Sequence, residues 1–280
     1  MKLYYICIDL TFVLLYNQIM TVKKFHQFIR LEKGPENTAI IDFLKGNVYH
    51  IGTDLIRKFE ERKYDEIGDF LDSLEEEELI FTVEDEDWIP SESDEEREDE
   101  LFRLEIPGDA DIHFILEKFK KYRISAVVVD QCRMNESLPE GYRFEAREET
   151  ACDFKTCESL ARRVGSNALF KTDEQTYAFL QKYNRCWGKS VAVTSDGKIR
   201  PCIHSQIILG DINDSEEHIY HAMEKMKELW GLTTDKVEKC NGCELRYVCF
   251  DCRELAFRHG GELSAINPFC QYNPNASDNQ

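Results

Sequence analysis

Between residues 24 and 90, the spacing of apolar residues changes from that of strands to that of helices. Thr38–Phe43 is rich in β-forming residues and is followed by the turn sequence Lys45-Gly46-Asn47. Val48–Ile51 then provides a returning strand. The pattern predicts a β-hairpin at the start of this region.

Two amphipathic helices and a strand are predicted after the hairpin. Thr53 is placed to cap the first helix and Asp65 to cap the second. Their apolar faces are Leu55, Ile56 and Phe59 in the first and Ile67, Phe70, Leu71 and Leu74 in the second. With a final strand at Leu79–Val83, this order predicts a winged helix-like unit over residues 24–90.

A strand, a helix and a second strand are predicted in the middle of the chain. Leu101–Ile106 has an extended pattern, and Asp111 precedes a helix with one apolar side. That side is formed by Ile112, Ile115, Leu116 and Phe119. Ser125–Val129 is a continuous apolar run, as expected for a buried parallel strand. Residues 101–183, with weaker helical patterns over 150–183, are therefore predicted to form a partial α/β (βαβ) segment.

The C-terminal region begins with a second predicted hairpin. Asp196-Gly197 is a two-residue turn sequence, because both positions tolerate positive φ, and the hairpin would bring Cys202 back towards Cys186. Asp214 then precedes a helix, with Glu217 placed for a capping box. The apolar stripe of this helix, predicted to be core, is Ile219, Ala222, Met223, Met226 and Trp230.

Composition sets the remaining boundaries. Residues 1–23 are predicted to be an extension, with Met20 as an alternative start. Residues 91–100 are mostly Asp and Glu, and a block of like charge repels itself and stays solvated, which predicts an acidic linker. The chain is therefore predicted to be an α+β protein with a cysteine-rich domain at residues 184–280.

The charge balance argues against polyanionic partners. The chain has 54 Asp and Glu against 35 Lys and Arg, a formal net charge of −19. Nucleic acids and anionic membranes are bound through Lys and Arg, so neither is predicted as a partner. The apolar stretch Tyr4–Met20 contains Asp9 and Asn17, lacks a signal-peptide cleavage site and is too short and polar to span a bilayer. We therefore predict a cytoplasmic protein.

Seven of the eleven cysteines lie between residues 186 and 270. The cytoplasm disfavours disulfides, and thiolates are soft ligands for zinc and for iron–sulfur clusters. Cys240 and Cys243 form a Cys-x-x-Cys pair, in which Gly242 is predicted to let the backbone tighten around a metal. The predicted metal ligands are Cys186, Cys202, Cys240, Cys243, Cys249, Cys252 and Cys270. Spacing alone leaves iron–sulfur clusters and two Zn²⁺ ions as alternatives.

The spacing of these cysteines is the most specific pattern in the chain. Cys186 is followed after ten residues by Gly197, after four more by Cys202, and then by Cys240-x2-Cys243-x5-Cys249, Cys252 and Cys270. This pattern resembles the SPASM domain, the auxiliary iron–sulfur module of many peptide-modifying radical SAM enzymes. Two residues, rather than the usual three, separate Cys249 from Cys252.

The wider chain is similar to the SPASM peptide maturases of grasp-with-spasm systems. The similarity rests on the run from Cys240 to Arg253 and on segments from Phe25 to Pro90. Such maturases are encoded beside an ATP-grasp peptide ligase and a small precursor peptide. The resemblance therefore implies a role in maturing a ribosomally synthesised peptide, with the precursor and the ligase as partners.

The resemblance also implies two 4Fe–4S clusters. One would be held by Cys240, Cys243, Cys249 and Cys270, and the other by Cys186, Cys202 and Cys252. Related enzymes often supply a fourth, upstream cysteine to the second cluster, and the candidates here are Cys132, Cys152 and Cys157. Without such a ligand one iron is open to substrate, and His204 is placed to cap it.

Two further features shape the functional prediction. The chain has no Cys-x3-Cys-x2-Cys loop, so it is predicted not to cleave S-adenosylmethionine by itself. Residues 24–90 resemble a precursor-recognition domain, which binds a leader peptide at a sheet edge. The predicted second helix, Asp65–Glu78, has no Lys or Arg, which disfavours DNA binding.

The sequence leaves open whether the protein is itself catalytic. The alternatives to a peptide-maturase component are a zinc-stabilised, non-enzymatic scaffold and an iron–sulfur electron-relay protein.

Overall fold

The computed structural model of the chain divides into two compact units. The described residues are 21–84, 100–107, 109–130, 134, 138–147, 154–162 and 172–276. The first unit contains the described residues up to Ile29 and from Asp54 to Glu84. The second contains Arg30–Thr53 and the described residues from Glu100 onward.

Three predicted segments relate to these units in different ways. Of the predicted extension 1–23, residues 1–20 lie outside the described residues and the rest begins a strand. Of the predicted linker 91–100, only Glu100 is described, and it also begins a strand. The segment predicted as one unit at 24–90 is divided between the two compact units.

The first unit combines two helices with a two-stranded antiparallel sheet. The helices are α1 (Thr53–Glu60) and α2 (Gly68–Glu76). Strand β1 (Thr21–Phe25) pairs with β5 (Ile80–Glu84). The buried apolar side chains among its described residues are Val22, Ile29, Ile56, Phe59, Ile67, Leu71, Leu74, Leu79 and Ile80. The amphipathic faces predicted for the two helices therefore supply much of this core.

The two helices and the final strand are confirmed, but their arrangement differs from a winged helix. Asp65 lies in a 3₁₀ turn, Tyr64–Glu66, and α2 begins only after Ile67, whose side chain is buried. The final strand pairs with β1, not with the hairpin. Strand β1 was not predicted from the sequence, because adjacent Lys23 and Lys24 interrupt its alternation of apolar and polar residues. The structure therefore does not confirm a winged helix.

The predicted N-terminal hairpin is confirmed, in the small sheet that belongs to the second unit from Arg30 onward. Strands β2 (Ile29–Lys33), β3 (Asn37–Asp42) and β4 (Asn47–Gly52) form this three-stranded sheet. The turn between β3 and β4 contains Gly46 at φ 68°. All six residues of β3 are buried.

A six-stranded mixed sheet forms the body of the second unit. Its strands are β6 (Glu100–Glu105), β7 (Arg123–Asp130), β8 (Phe144–Arg147), β9 (Ser190–Val193), β10 (Lys198–Arg200) and β11 (Gly210–Asp211). The strand order is β11-β10-β9-β6-β7-β8, and β9, β6, β7 and β8 run parallel. Because β9 pairs with β6, one sheet joins the predicted α/β segment to the cysteine-rich region.

Helix α3 (Ile112–Phe119) connects β6 to β7 and confirms the predicted βαβ unit. Its N-cap is Asp111, whose side chain accepts a hydrogen bond from the Phe114 N–H at 3.0 Å. Helices α4 (Phe154–Arg162) and α5 (Glu174–Lys182) follow within the region of weaker helical pattern.

Helix α6 (Glu216–Trp230) packs its predicted apolar stripe into the core of the six-stranded sheet. The helix begins one residue later than predicted. Its N-cap is Ser215, whose side chain accepts a hydrogen bond from the His218 N–H at 3.3 Å, and not Asp214. The last helix is α7 (Arg253–Gly260). No helix in the described parts of the chain has both the length and the apolar character needed to cross a membrane.

Candidate metal centre

Asn184 fixes the turn that carries Cys186. This asparagine is 2% exposed, and its side-chain oxygen accepts hydrogen bonds from the N–H groups of Cys186 and Trp187, both at 3.0 Å. Its own N–H donates to the Trp230 carbonyl at 2.7 Å. Trp187 is fully buried in the core of the six-stranded sheet. Cys186 therefore projects from a turn anchored to that core.

The β9–β10 hairpin returns the chain to Cys202. Its loop contains three residues, not the predicted two, since Thr194 donates to the Lys198 carbonyl at 3.0 Å. The Gly197 N–H donates to the Thr194 carbonyl at 2.8 Å, and Gly197 takes a φ of 78°. A type I turn followed by a left-handed residue suits a three-residue hairpin loop. The glycine is therefore required here by backbone conformation.

Buried Glu254 joins the loop after Cys202 to helix α7. Its carboxylate is fully buried and accepts hydrogen bonds from the Ser205 hydroxyl at 2.7 Å and the Gln206 N–H at 3.0 Å. Cys252 lies two residues earlier, at the N-cap of α7. The same carboxylate thus holds the elements that carry Cys202 and Cys252.

Cys186, Cys202 and Cys252, which we call the sheet set, lie together. The Cys186 thiol donates a hydrogen bond to the Cys252 sulfur, which raises the pKa of Cys186 and lowers that of Cys252. Burial, with a smaller contribution from Glu105 and one from Cys252, raises the pKa of Cys202 to about 12. Cys202 in turn contributes to the raised pKa of Cys186.

Residues 240–249, which we call the knuckle, form a series of tight turns. The Cys243 N–H donates to the Cys240 carbonyl at 3.0 Å, and the Cys249 N–H donates to the Leu245 carbonyl at 2.8 Å. Gly242 does not take a positive φ, so the backbone freedom predicted for it is not used. Hydrogen-bonded turns, not a special glycine conformation, bring these cysteines near one another.

The knuckle packs against the small three-stranded sheet. The cluster comprises buried Ala39, Ile41, Tyr177, Leu245 and Val248, with Cys243 and Cys249 packed against it. Glu32 of β2 pairs with the Arg246 guanidinium and accepts a hydrogen bond from the Tyr177 hydroxyl at 2.6 Å. Sequence reasoning missed this support, because the partners are separated by 145 and 214 residues.

Arg253 orders the chain that leads to Cys270. Its guanidinium is fully buried, pairs with Asp251, and donates to the carbonyls of Leu263 at 2.9 Å and Ala265 at 2.8 Å. A buried cation with all of these partners fixes the course of the segment after α7. Sequence reasoning did not identify this role for Arg253.

Cys240, Cys243, Cys249 and Cys270, which we call the knuckle set, also lie together. Burial raises the pKa of Cys240 to about 11 and that of Cys243 to about 12, and it raises that of Cys249 well above its usual range. A charge on Cys270 raises all three of these pKa values further. The structure therefore gathers these four thiols apart from the sheet set.

Cys157 is the one upstream cysteine among the described residues, since Cys132 and Cys152 lie outside them. Burial raises the pKa of Cys157, and a charge on Cys252 raises it further. Cys157 also contributes to the raised pKa of Cys186. His204, the predicted cap, packs its ring against Phe154 with 5.8 Å between ring centroids.

The donors at both sets are thiols, the soft ligands that suit iron–sulfur clusters and zinc. The eight described cysteines are free of disulfide bonds. Among the described residues, no group of three or more His, Cys, Asp or Glu side chains is arranged to hold a metal ion, so the grouping rests on packing and on mutual pKa effects. Thiols that raise one another's pKa favour a bound cation, which replaces their protons. This donor chemistry fits a thiolate-ligated metal group.

Comparison with known proteins identifies part of this region. Residues 186–244 match the SPASM family model, an iron-sulfur cluster-binding domain. The SPASM segment covers about a fifth of the chain. No curated protein and no solved structure shows a significant match.

The SPASM segment contains cysteines of both sets. Cys186 and Cys202 belong to the sheet set, and Cys240 and Cys243 to the knuckle set. The other three predicted ligands lie beyond its end, and these are Cys249, Cys252 and Cys270. The family match therefore supports iron–sulfur binding, and the structure adds which thiols lie together.

Proposed function

We propose that this protein is a cytoplasmic component of a system that matures a ribosomally synthesised peptide. It binds the precursor, carries two 4Fe–4S clusters and acts with an ATP-grasp peptide ligase. The observation that carries the proposal is the pair of separate thiol sets, each of which overlaps the SPASM segment. The sheet set contributes Cys186 and Cys202 to that segment, and the knuckle set contributes Cys240 and Cys243.

The residues around the sets supply what anionic clusters need. The knuckle set offers four thiolates to one cluster, and the sheet set offers three to the other. Half-buried Arg185 donates to the carbonyls of Cys249 at 3.0 Å and Val248 at 3.2 Å. Its positive charge offsets thiolate charge nearby. A bound cluster supplies electron transfer, while these residues hold it and exclude water.

The first unit is proposed to bind the precursor. Among the described residues, its sheet pairs only β1 with β5. The Lys23 N–H of β1 donates to the Tyr64 hydroxyl at 3.2 Å, so we propose the outer edge of β5 as the place where an extended peptide adds. Helix α2 contains four acidic residues and no Lys or Arg, so its charge disfavours nucleic acid. Peptide binding would then be measured with a precursor encoded beside this protein, by fluorescence anisotropy.

Anaerobic purification tests the metal part of the proposal. We expect about eight iron and eight sulfide per chain and the brown colour of 4Fe–4S clusters. A colourless protein containing about two zinc ions would contradict this part and favour the scaffold alternative. Two clusters without binding of any neighbouring precursor would contradict peptide maturation and favour the electron-relay alternative.

A further inference from the structure

Three parallel strands of the six-stranded sheet end in charged residues that share one face. Strands β6, β7 and β8 end at Glu105, Asp130 and Arg147. The register pairs Arg147 with Asp130. It also pairs Glu105 with Val128, two residues before Asp130, so the three charged side chains lie on the same side of the sheet. Val127 points to the other side, into the main core with α3 and α6.

Long side chains on both neighbouring strands and short ones on β7 leave a trough above β7. The floor of this trough is Ala126 and Val128, which are 9% and 8% exposed. Arg103 and Glu105, their register partners on β6, form one wall. Arg147 of β8 forms the other wall, and 8% of its side chain is exposed. The trough therefore combines an apolar floor with charged walls.

Each arginine of the trough pairs with a carboxylate through one nitrogen. Arg147 Nη1 lies 2.8 Å from Asp130 Oδ1. Arg103 Nη2 lies 2.9 Å from Glu105 Oε1. A second nitrogen of each, Arg147 Nη2 and Arg103 Nε, is buried and has no hydrogen-bond partner among the described residues. Because buried polar groups nearly always have a partner, two such donors beside one trough indicate that a ligand supplies the acceptor.

The trough lies where open parallel sheets bind their ligands. The chain runs from β6 outward to β7 and β8, and then adds β9 on the other side of β6. Ligands bind outside the carboxyl ends of parallel strands, next to such a reversal of strand order. Glu105, at the end of β6, contributes to the raised pKa of Cys202. The trough is therefore close to the sheet set.

We propose that the trough binds a carboxylate of a peptide through the guanidinium groups of Arg147 and Arg103. The proposal rests on the proposed role in peptide maturation, which makes a peptide the ligand. Guanidinium N–H groups form strong, charge-assisted hydrogen bonds with carboxylates. The two nitrogens without partners are already removed from water, so a ligand oxygen gains hydrogen bonds from them with little further desolvation.

The charges around the trough favour a carboxylate over a phosphate. Glu105, Asp130 and Glu145 place negative charges on the same face of the sheet. A singly charged carboxylate is repelled less by these groups than a phosphate dianion is. The side chains of Arg103 and Asp130 are 39% and 32% exposed, so the trough is open to solvent beside them.

The test measures binding of three short peptides to the full-length, anaerobically purified protein by saturation-transfer difference NMR. All three are acetylated tripeptides with alanine at the first and third positions. One has a central glutamate and an amidated end, one a central glutamine and an amidated end, and one a central glutamine and a free terminal carboxylate. Inorganic phosphate is added as a competitor.

We expect a peptide with a carboxylate to bind at least about tenfold more tightly than the peptide without one. Comparison of the two carboxylate peptides distinguishes a side chain from a chain terminus as the source of the carboxylate. Equal binding of the peptide without a carboxylate, or tighter binding of phosphate, would overturn the proposal.

Three variants locate the binding. Arg147→Gln and Arg103→Gln should each weaken binding of the carboxylate peptides about tenfold or more. Arg123→Gln is the matched control, because Arg123 is exposed at the opposite end of β7, and its affinity should equal that of the wild type. Circular dichroism checks folding, and Arg103→Gln decides the outcome if Arg147→Gln is unfolded. Wild-type affinity in the folded trough variants would contradict the assignment.

A precursor encoded beside this protein separates failure of the trough from failure of the proposed function. Binding of a carboxylate tripeptide without binding of the precursor supports the trough and contradicts peptide maturation. Equal binding of the precursor and of the tripeptides to the wild type and to Arg147→Gln contradicts the trough and leaves peptide maturation supported.

Discussion

The two thiol sets are built in different ways. The sheet set sits on regular structure: a turn anchored in the main core, a hairpin in the six-stranded sheet, and the start of α7. The knuckle set sits on consecutive tight turns, packed against the small sheet and joined by a distant segment. The comparison shows two ways to bring cysteine side chains together. Regular secondary structure can do so, and so can a short motif that buried polar contacts hold in place.

Removing one ligand from each set gives the largest expected effect. Cys249→Ala should lower the iron content from about eight to about four per chain by removing the knuckle cluster, because one thiolate in four is lost. Cys252→Ala should also lower it by up to half, through the other cluster. Iron and sulfide analysis measures both, with Cys7→Ala as a control outside the region. Loss of all iron in either variant would contradict two independent sets.

Arg253→Met should damage both sets together. Its guanidinium is fully buried and pairs with Asp251, so truncation leaves a buried carboxylate unpaired at about 3–5 kcal/mol of unfolding free energy. Urea denaturation measures the loss. Arg57→Ala is the control, because Arg57 is paired with Asp54 in an exposed position, where solvent screening leaves an ion pair little effect on stability. Equal losses in the two variants would contradict the role of Arg253 in ordering the segment that leads to Cys270.

Each of two buried glutamates supports one thiol set, so substituting either one should weaken that set more than the other. Glu254→Ala should destabilise the Cys202 loop by about 1–3 kcal/mol, because the Ser205 hydroxyl and Gln206 N–H lose their acceptor. Glu244→Ala should have a similar effect at the knuckle, where Glu244 accepts from the Tyr272 hydroxyl. Visible spectra during chelator treatment should show the sheet cluster lost first in one variant and the knuckle cluster first in the other. The same order of loss in both variants would refute this separation.

Glycine substitutions give the smallest and most local contrast. Gly197→Ala should cost about 1–2 kcal/mol, because a φ of 78° is strained for any residue with a Cβ atom. Gly242→Ala should be nearly neutral, since the nearest atom to the added Cβ, the Pro35 Cγ, is 3.9 Å away. Thermal unfolding of both variants measures the difference. A larger loss at Gly242 than at Gly197 would show that the knuckle turns do depend on a special glycine.

Much of the local structure follows from neighbouring residues. Asp111 caps α3 as predicted, and the stripe of α6 from Ile219 to Trp230 is buried as predicted. The N-terminal hairpin also forms where its turn sequence indicates. These features depend on residues a few positions apart, so periodicity and capping chemistry suffice to find them.

The pairing of distant elements did not follow from those patterns. Strand β5 pairs with β1 across more than 50 residues, and the N-terminal hairpin lies in the same unit as the knuckle and not with the two helices that follow it. Apolar alternation indicates that a strand has a buried face, but it does not identify the partner strand. The predicted winged helix depended on such a pairing.

The sequence by itself determined that seven cysteines are spaced as ligands and that a hairpin returns Cys202 towards Cys186. Only the tertiary structure decided which buried side chains hold the segments that carry these thiols, and among them are Arg253 and Glu254. The physical reason is that thiol spacing is a covalent property of the chain. Burial, and the buried hydrogen bonds that must accompany it, arise only when remote segments pack together.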